Sequence, residues 1–347
     1  MLFDLKPKEK VSDFFNYKDE LMALRSFLID KTTRMVVVRG LRRTGKSSLT
    51  RVALNVTGSK FVLIDARELS SLSRRSFESK LLEELKSFKG LPASLLERIE
   101  SVEFGIRVIL KNEQTLWKVL KSLNPIIVVD EVQMLQGTGV EAFFAALYDN
   151  TDCKIVLTGS EIGVLDSFVG KDNPKAPLFG RAFKEIKMHP LSSDKSKDFL
   201  VSGFKSSGKM ISGTEVNRAV EVLDGIVGWL TIFGNSALLV DIPTALNESV
   251  RKGALLAYSE LTSFLQNRAA AKNRYLTIMH LLAQKEMRWS TLKDAVQFER
   301  KEIISDSQFS TYLNSLVMYG FVTSLDQHYS IPDPLLKRAL IEGTNVV

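Results

Sequence analysis

Gly40-Leu41-Arg42-Arg43-Thr44-Gly45-Lys46-Ser47 has the spacing of a phosphate-binding loop. Its two glycines let the backbone close on an anion with no Cβ in the way. Lys46 supplies a point charge for the outer phosphates, and the Ser47 hydroxyl is a hard oxygen ligand for magnesium. Far along the chain, Asp130-Glu131 places two carboxylates side by side after four apolar residues. Asp130 suits the magnesium shell. Two roles are open to Glu131: orienting and deprotonating a water that attacks a terminal phosphate, or capping the helix that follows. A paired acid here favours activation of water over transfer to a small molecule. The chain holds no Asn-Lys-x-Asp guanine motif and no Leu-Ser-Gly-Gly signature, so adenine is the favoured base.

These residues need rigid elements to hold them. Met35-Val36-Val37-Val38 reads as a buried strand leading into the loop, and Ser48 to Leu54 continues as a helix. A strand, a glycine turn and a helix N-terminus together aim backbone N–H groups at one anion. Ile126 to Val129 reads as a second buried strand, delivering Asp130 at its C-terminal end. Further strands are expected at Lys60–Asp65, Ile155–Thr158 and Ala182–Met188, with helices at Lys18–Asp30, Ser76–Phe88, Glu113–Ser122 and Glu141–Tyr148. Val102 to Leu110 fits either a short strand or a hairpin. Strands alternating with helices imply a parallel sheet with helices on both faces.

Pro190 marks a change to helical patterning, with helices expected at Ser193–Phe204, Thr214–Leu223, Gly228–Leu239 and Ala245–Leu265. Such a subdomain after the last strand has the position of a lid. Beyond it come Arg274–Gln284, Trp289–Val296 and Asp306–Met318. A strand pair, Phe321–Ser324 and His328–Ile331, then turns at Asp326-Gln327. Three helices and a hairpin describe a winged helix. The expected division is thus 1–190 for the nucleotide-binding core, 191–266 for the lid and 267–347 for the winged helix.

Composition narrows the function further. Residues 1–60 carry thirteen Lys/Arg against six Asp/Glu, which accounts for the whole net charge of +7. The excess gathers around the loop, where a polyanion binds; Lys6 to Lys10 reads as a solvated arm. One cysteine, Cys153, precedes an apolar run and fits a buried thiol in a reducing cytoplasm. Three scattered histidines offer no zinc cluster, and Met1-Leu2-Phe3-Asp4 does not open a signal peptide. The uncharged run Gly225–Val240 is short for a bilayer and reads as a buried helix pair, so no membrane association is expected.

Taken together, these motifs resemble the archaeal ATPases of the STAND type, signal-transducing P-loop NTPases related to AAA+ proteins. The arginine pair inside Gly40–Ser48 is similar to that family's loop. Asp130-Glu131, Leu157-Thr158-Gly159-Ser160, Leu178-Phe179-Gly180-Arg181, Gly225 to Trp229 and the tail Tyr329 to Leu336 also match. The resemblance implies an ASCE/AAA+-like α/β core with a helical lid and a C-terminal winged helix. It implies ATP and ADP as ligands with Mg²⁺, and slow hydrolysis driving a molecular switch. Gly40, Arg43, Thr44, Gly45, Lys46, Ser47 and Ser48 would line the nucleotide, and Tyr17 would pack on the adenine or else serve as a core contact. Ser160 corresponds to a polar sensor of the γ-phosphate, or is a turn former. Arg181 corresponds to an arginine finger acting in cis or in trans, or is a surface ion pair. Arg42 and Arg43 are open to solvation or a lid contact. One departure stands out: related proteins often carry Gly-x-Pro where this chain has Gly225-Ile226-Val227.

A core of this type joined to a winged helix is also the layout of archaeal replication initiators, which bind DNA. From Ile304 through Pro334, however, no Lys or Arg occurs. DNA affinity depends on such residues, so a protein partner at the winged helix is favoured. Contact with DNA through Arg274, Lys293, Arg300 or Lys301 stays open. A slow nucleotide-sensing scaffold is the third alternative, and nothing in the sequence fixes an oligomeric state.

Overall fold

The structure, a computed structural model, describes residues 1–88 and 109–343. The segment read as a strand or hairpin lies outside these, apart from Ile109 and Leu110, which open a helix. By internal contacts the chain divides into two compact units. One contains Lys8–Gly40 and Lys46–Met188; the other contains Met1–Pro7, Leu41–Gly45 and His189–Val347.

The first unit is built on a parallel sheet. β1 (Met35–Gly40), β2 (Phe61–Asp65), β3 (Ile126–Asp130), β4 (Lys154–Gly159) and β5 (Lys184–Met188) lie in the order β2-β3-β4-β1-β5. Every pairing is parallel. β1 and β3 are buried throughout, as their unbroken β-branched runs require. β5 is an edge strand, and its Lys184, Glu185 and Lys187 are exposed charges of the kind that discourage pairing with another chain. Because β4 lies between β1 and β3, the C-terminal ends of those three strands converge on one rim.

Helices α1 (Lys18–Ile29), α2 (Lys46–Thr57), α3 (Arg74–Lys86), α4 (Ile109–Leu123), α5 (Val140–Asn150) and α6 (Ile162–Phe168) complete this unit. Phe77, Phe143, Phe144 and Phe168 fill one side of the sheet together with strand residues such as Ile64 and Val129. Cys153 is fully buried, and burial pushes its thiol up to about 11, as expected of a packing residue. Arg39, on β1, is buried but paired with Asp166 at 2.7 Å and Glu185 at 3.2 Å.

The second unit is mainly helical. α7 (Ser193–Ser206), α8 (Gly213–Leu223), α9 (Val227–Ala237) and α10 (Ile242–Gln266) form its first part. Ser212 and Glu215 close a capping box at α8, and Asp241 caps α10. α11 (Lys272–Gln284), α12 (Trp289–Arg300) and α13 (Asp306–Met318) lead to a small sheet of order β6-β8-β7. Its members are β6 (Met287–Arg288), β7 (Thr323–Leu325) and β8 (His328–Ser330), and α14 (Pro334–Glu342) follows. Asp326 and Gln327 both take positive φ, the backbone of a tight hairpin turn. Phe264 on α10 packs its ring against Tyr275, Tyr319 and Phe321, tying the long helix to the winged helix.

Three details correct or refine the sequence expectations. The uncharged run 225–240 forms one helix, α9, instead of a helix pair. Its interior glycines are tolerated because they are contact points: a Cβ on Gly234 would lie 2.3 Å from the Phe3 ring. Phe3 itself is buried among Phe199 and Phe204, so the N-terminal arm is anchored although Lys6, Glu9 and Lys10 are exposed. The absent proline has little consequence. Val227 is the first residue of α9, where a backbone N–H has no intrahelical partner in any case.

Candidate active site

The end of β3 carries a cluster of hydrogen-bonded polar side chains. Asp130 is buried, and its Oδ2 accepts from Ser47 Oγ at 2.5 Å. Its Oδ1 accepts from Thr158 Oγ1 on β4 and from the Glu131 backbone N–H. Ser47 sits in the first turn of α2. Two residues separated by 83 positions are thereby placed together, both with hard oxygen donors. That donor set fits a magnesium ion, which prefers few protein oxygens and keeps waters and phosphate oxygens as its other ligands.

Glu131 leaves the strand in the left-handed region, φ +53°. Its Oε2 accepts from Ser160 Oγ at 2.7 Å and from Gln133 Nε2 at 2.5 Å. The side chain makes no capping hydrogen bond to the short helical turn that follows, Val132–Leu135. Ser160 is buried just beyond β4. Lys46 is also buried, and its Nζ donates to Gly40 O at 3.0 Å, folding the ammonium back over the start of the loop.

Residues 41–45 group with the helical unit. Gly45 has φ +94°, a conformation that costs any residue with a Cβ. Thr44 is buried and its Oγ1 donates to Leu41 O at 2.8 Å. Arg43 also has positive φ, +65°. Its carbonyl accepts from Gly228 N at 2.9 Å. Its guanidinium donates to Glu260 Oε1 at 2.6 Å and lies 4.1 Å from the centre of the Trp229 ring. Arg42 reaches the same carboxylate at 3.3 Å and lies over the Phe321 ring. Both arginines thus meet Glu260 on α10, a helix of the segment expected to form a lid.

The remaining expected residues are more scattered. Ser48 Oγ accepts from the Lys8 backbone N–H at 2.9 Å. Tyr17 precedes α1 with φ +51° and is 5% exposed, its ring tilted against Phe14. Burial, with Glu20 adding, raises its phenol well above the ordinary value. Arg181 pairs with Asp149 through Nε at 3.0 Å and Nη2 at 2.5 Å, and also donates to Pro177 O.

Sequence reasoning passed over several contributors. Thr158 and Gln133 hold the two acids, and Glu260 and Trp229 hold the loop arginines. Arg67, just after β2, pairs with Asp65 at 2.5 Å. That bond raises its pKa most, and Glu131 and Asp130 add to the effect, so a cation stands near the paired acids.

A family model described as an ATPase domain predominantly from Archaea matches residues 14–233. A second, the MCM protein C-terminal winged helix-turn-helix domain, matches residues 269–331. Among solved structures, the Walker-type ATPase PABY2304 of Pyrococcus abyssi is similar at TM-score 0.80 and 30% identity, covering 98% of this chain and 99% of its own. The RuvB Holliday junction branch migration motor of Thermotoga maritima reaches TM-score 0.46 at 10% identity, over 96% of this chain and 98% of its own. No curated protein matches this sequence.

Proposed function

The chain belongs to the family of ATPase domains found predominantly in Archaea, and on that footing we propose that it is a magnesium-dependent molecular switch of the STAND type. ATP is bound and hydrolysed to ADP and phosphate, and the lid and winged helix respond to which nucleotide is present. One observation carries the chemistry: Ser47 Oγ lies 2.5 Å from Asp130 Oδ2, with Glu131 next in sequence.

Ser47 and Asp130 are the residues that would hold magnesium, which when bound neutralises charge on the phosphate oxygens. Lys46 exchanges its bond to Gly40 O for the outer phosphates, and the backbone of Gly40–Gly45 cradles the anion. Glu131 accepts the proton of the attacking water. Ser160, bonded to Glu131, places a hydroxyl where a γ-phosphate sensor is needed. Arg181 would serve as an arginine finger only after leaving Asp149.

The switch reading draws support from the loop itself. Arg43 and Arg42 bond Glu260 on α10, so the loop shares contacts with the helices expected to move. Segments held by a γ-phosphate relax once it is lost. Light scattering after size exclusion, in ADP and in a non-hydrolysable ATP analogue, tests this. A nucleotide-dependent change in mass or radius is expected, and identical profiles would leave a static nucleotide-binding scaffold.

DNA binding is the second reading, and the winged-helix match is what favours it. Against it, three of the four basic residues considered for DNA contact are already paired with acids. Arg274 holds Glu302 through two bonds of 3.0 Å, Lys293 pairs with Asp306 at 2.5 Å, and Arg300 reaches Glu302 at 3.5 Å. A protein partner therefore remains the favoured occupant of this domain. Retardation of duplex DNA at near-physiological salt, lost in an Arg300→Ala/Lys301→Ala variant, would reverse the ranking.

A further inference from the structure

Gln133 is 4% exposed, on the helical turn that follows β3. Its Nε2 donates to Glu131 Oε2 at 2.5 Å and lies 3.5 Å from Ser160 Oγ. Ser160 Oγ donates to the same carboxylate oxygen at 2.7 Å. The three side chains close a triangle on Oε2. Chemistry fixes the orientation of the amide, since exchanging its N and O would aim a carbonyl oxygen at a carboxylate.

The other end of the amide is costly. Among the described residues Gln133 Oε1 is buried with no hydrogen-bond partner. It rests against Gly159, where an added Cβ would approach within 2.5 Å. Burying a carbonyl oxygen without a donor costs about 1–3 kcal/mol. Leu or Met would fill the same space without that cost. The donor end is what sets Gln133 apart from them.

We infer that Gln133 is a positioning residue for hydrolysis, fixing the plane of the Glu131 carboxylate jointly with Ser160. This rests on Glu131 acting as the base. Among the described residues Gln133 forms no hydrogen bond to Lys46, Ser47 or Asp130, so its effect falls on turnover and not on nucleotide affinity.

Two variants test it. Gln133→Glu keeps the shape but sets a like charge against Glu131, and Gln133→Leu keeps volume but removes the donor. Each should lower kcat by about 10-fold or more, the worth of a hydrogen bond to a charged group. The Kd for a non-hydrolysable ATP analogue with magnesium should stay within about twofold. In a Glu131→Gln background, Gln133→Leu should remove little further turnover, because the carboxylate it orients has gone. Gly159→Ala, which crowds Oε1 from the opposite side, should reproduce the kcat loss and serves if Gln133→Glu does not fold. Unchanged kcat in Gln133→Leu overturns the inference, as does an equal loss of affinity, or a full additional loss in the Glu131→Gln background. If Glu131→Gln itself turns over at the parental rate, the base assignment fails and takes this inference with it. If Glu131→Gln is slow while Gln133→Leu is fast, the inference alone fails.

Discussion

The guanidinium of Arg43 stacks 4.1 Å from the centre of the Trp229 ring, and Glu260 grips its edge at 2.6 Å. A loop residue expected to line the nucleotide thus has its face and its edge both engaged by helices far along the chain. Glu260→Gln should loosen the loop without touching the acids. The pair is 20% and 30% exposed, so its worth is discounted to about 1 kcal/mol. The expected outcome is a rise of about fivefold in KM for ATP with kcat less affected, read from steady-state phosphate release.

Lys46→Ala removes the one loop cation aimed back at Gly40 O. Calorimetry should show ATP and ADP affinity falling steeply while the unfolding midpoint changes little, since the desolvation cost of a buried ammonium offsets much of what its contacts contribute. Undiminished affinity would remove Lys46 from the phosphate contacts.

Glu131→Gln should retain nucleotide binding and lose roughly 10²–10⁴ in single-turnover hydrolysis, the usual contribution of a general base. Chelation of divalent ions should abolish hydrolysis in the unaltered protein, and added magnesium should restore it. A Glu131→Gln protein with full activity would return that residue to a structural part.

Asp333 gives a pH-dependent prediction. Its Oδ1 caps α14 at Leu335 N and accepts from Trp229 Nε1 at 3.1 Å. Burial raises its pKa above the ordinary 3.8, although the cap bonds and Arg43 pull the other way. A carboxyl raised on folding contributes stability that is fully present below the unfolded value and fades as pH rises through the folded one. The ionised form is therefore penalised near neutrality. Asp333→Asn keeps the acceptor and should hold or raise Tm at pH 7, with the gain shrinking toward about pH 4. Asp333→Ala should cost about 1 kcal/mol for the cap, plus about 1–3 kcal/mol for the stranded indole N–H. A fall in Tm with Asp333→Asn at pH 7 would contradict this.

Much of the sheet unit could be read from sequence because its signals are local. An unbroken run such as Ile126–Val129 has few alternatives to a buried strand, and the loop's glycines announce their own turn. The winged helix was legible for the same reason, down to the Asp326-Gln327 turn. What escaped depends on distance or brevity. Arg43 and Glu260 are separated by 217 positions, and no periodicity links them. β6 has two residues, too few to alternate. Gln133 is a single polar residue in a short turn, and only the strand neighbouring β3 reveals what it touches. α14 carries a local signal of its own, an aspartate cap followed by Pro334 at the helix start.

Phe3 has a practical bearing on how this protein is handled. Its ring is 1% exposed, and glycines at 203 and 234 leave the space it occupies. Deleting residues 1–7 would empty an aromatic-sized hole in the helical unit, a loss of about 3–5 kcal/mol. A fluorophore or handle placed on this segment would disturb that plug, whereas an exposed position such as Met210 leaves it in place.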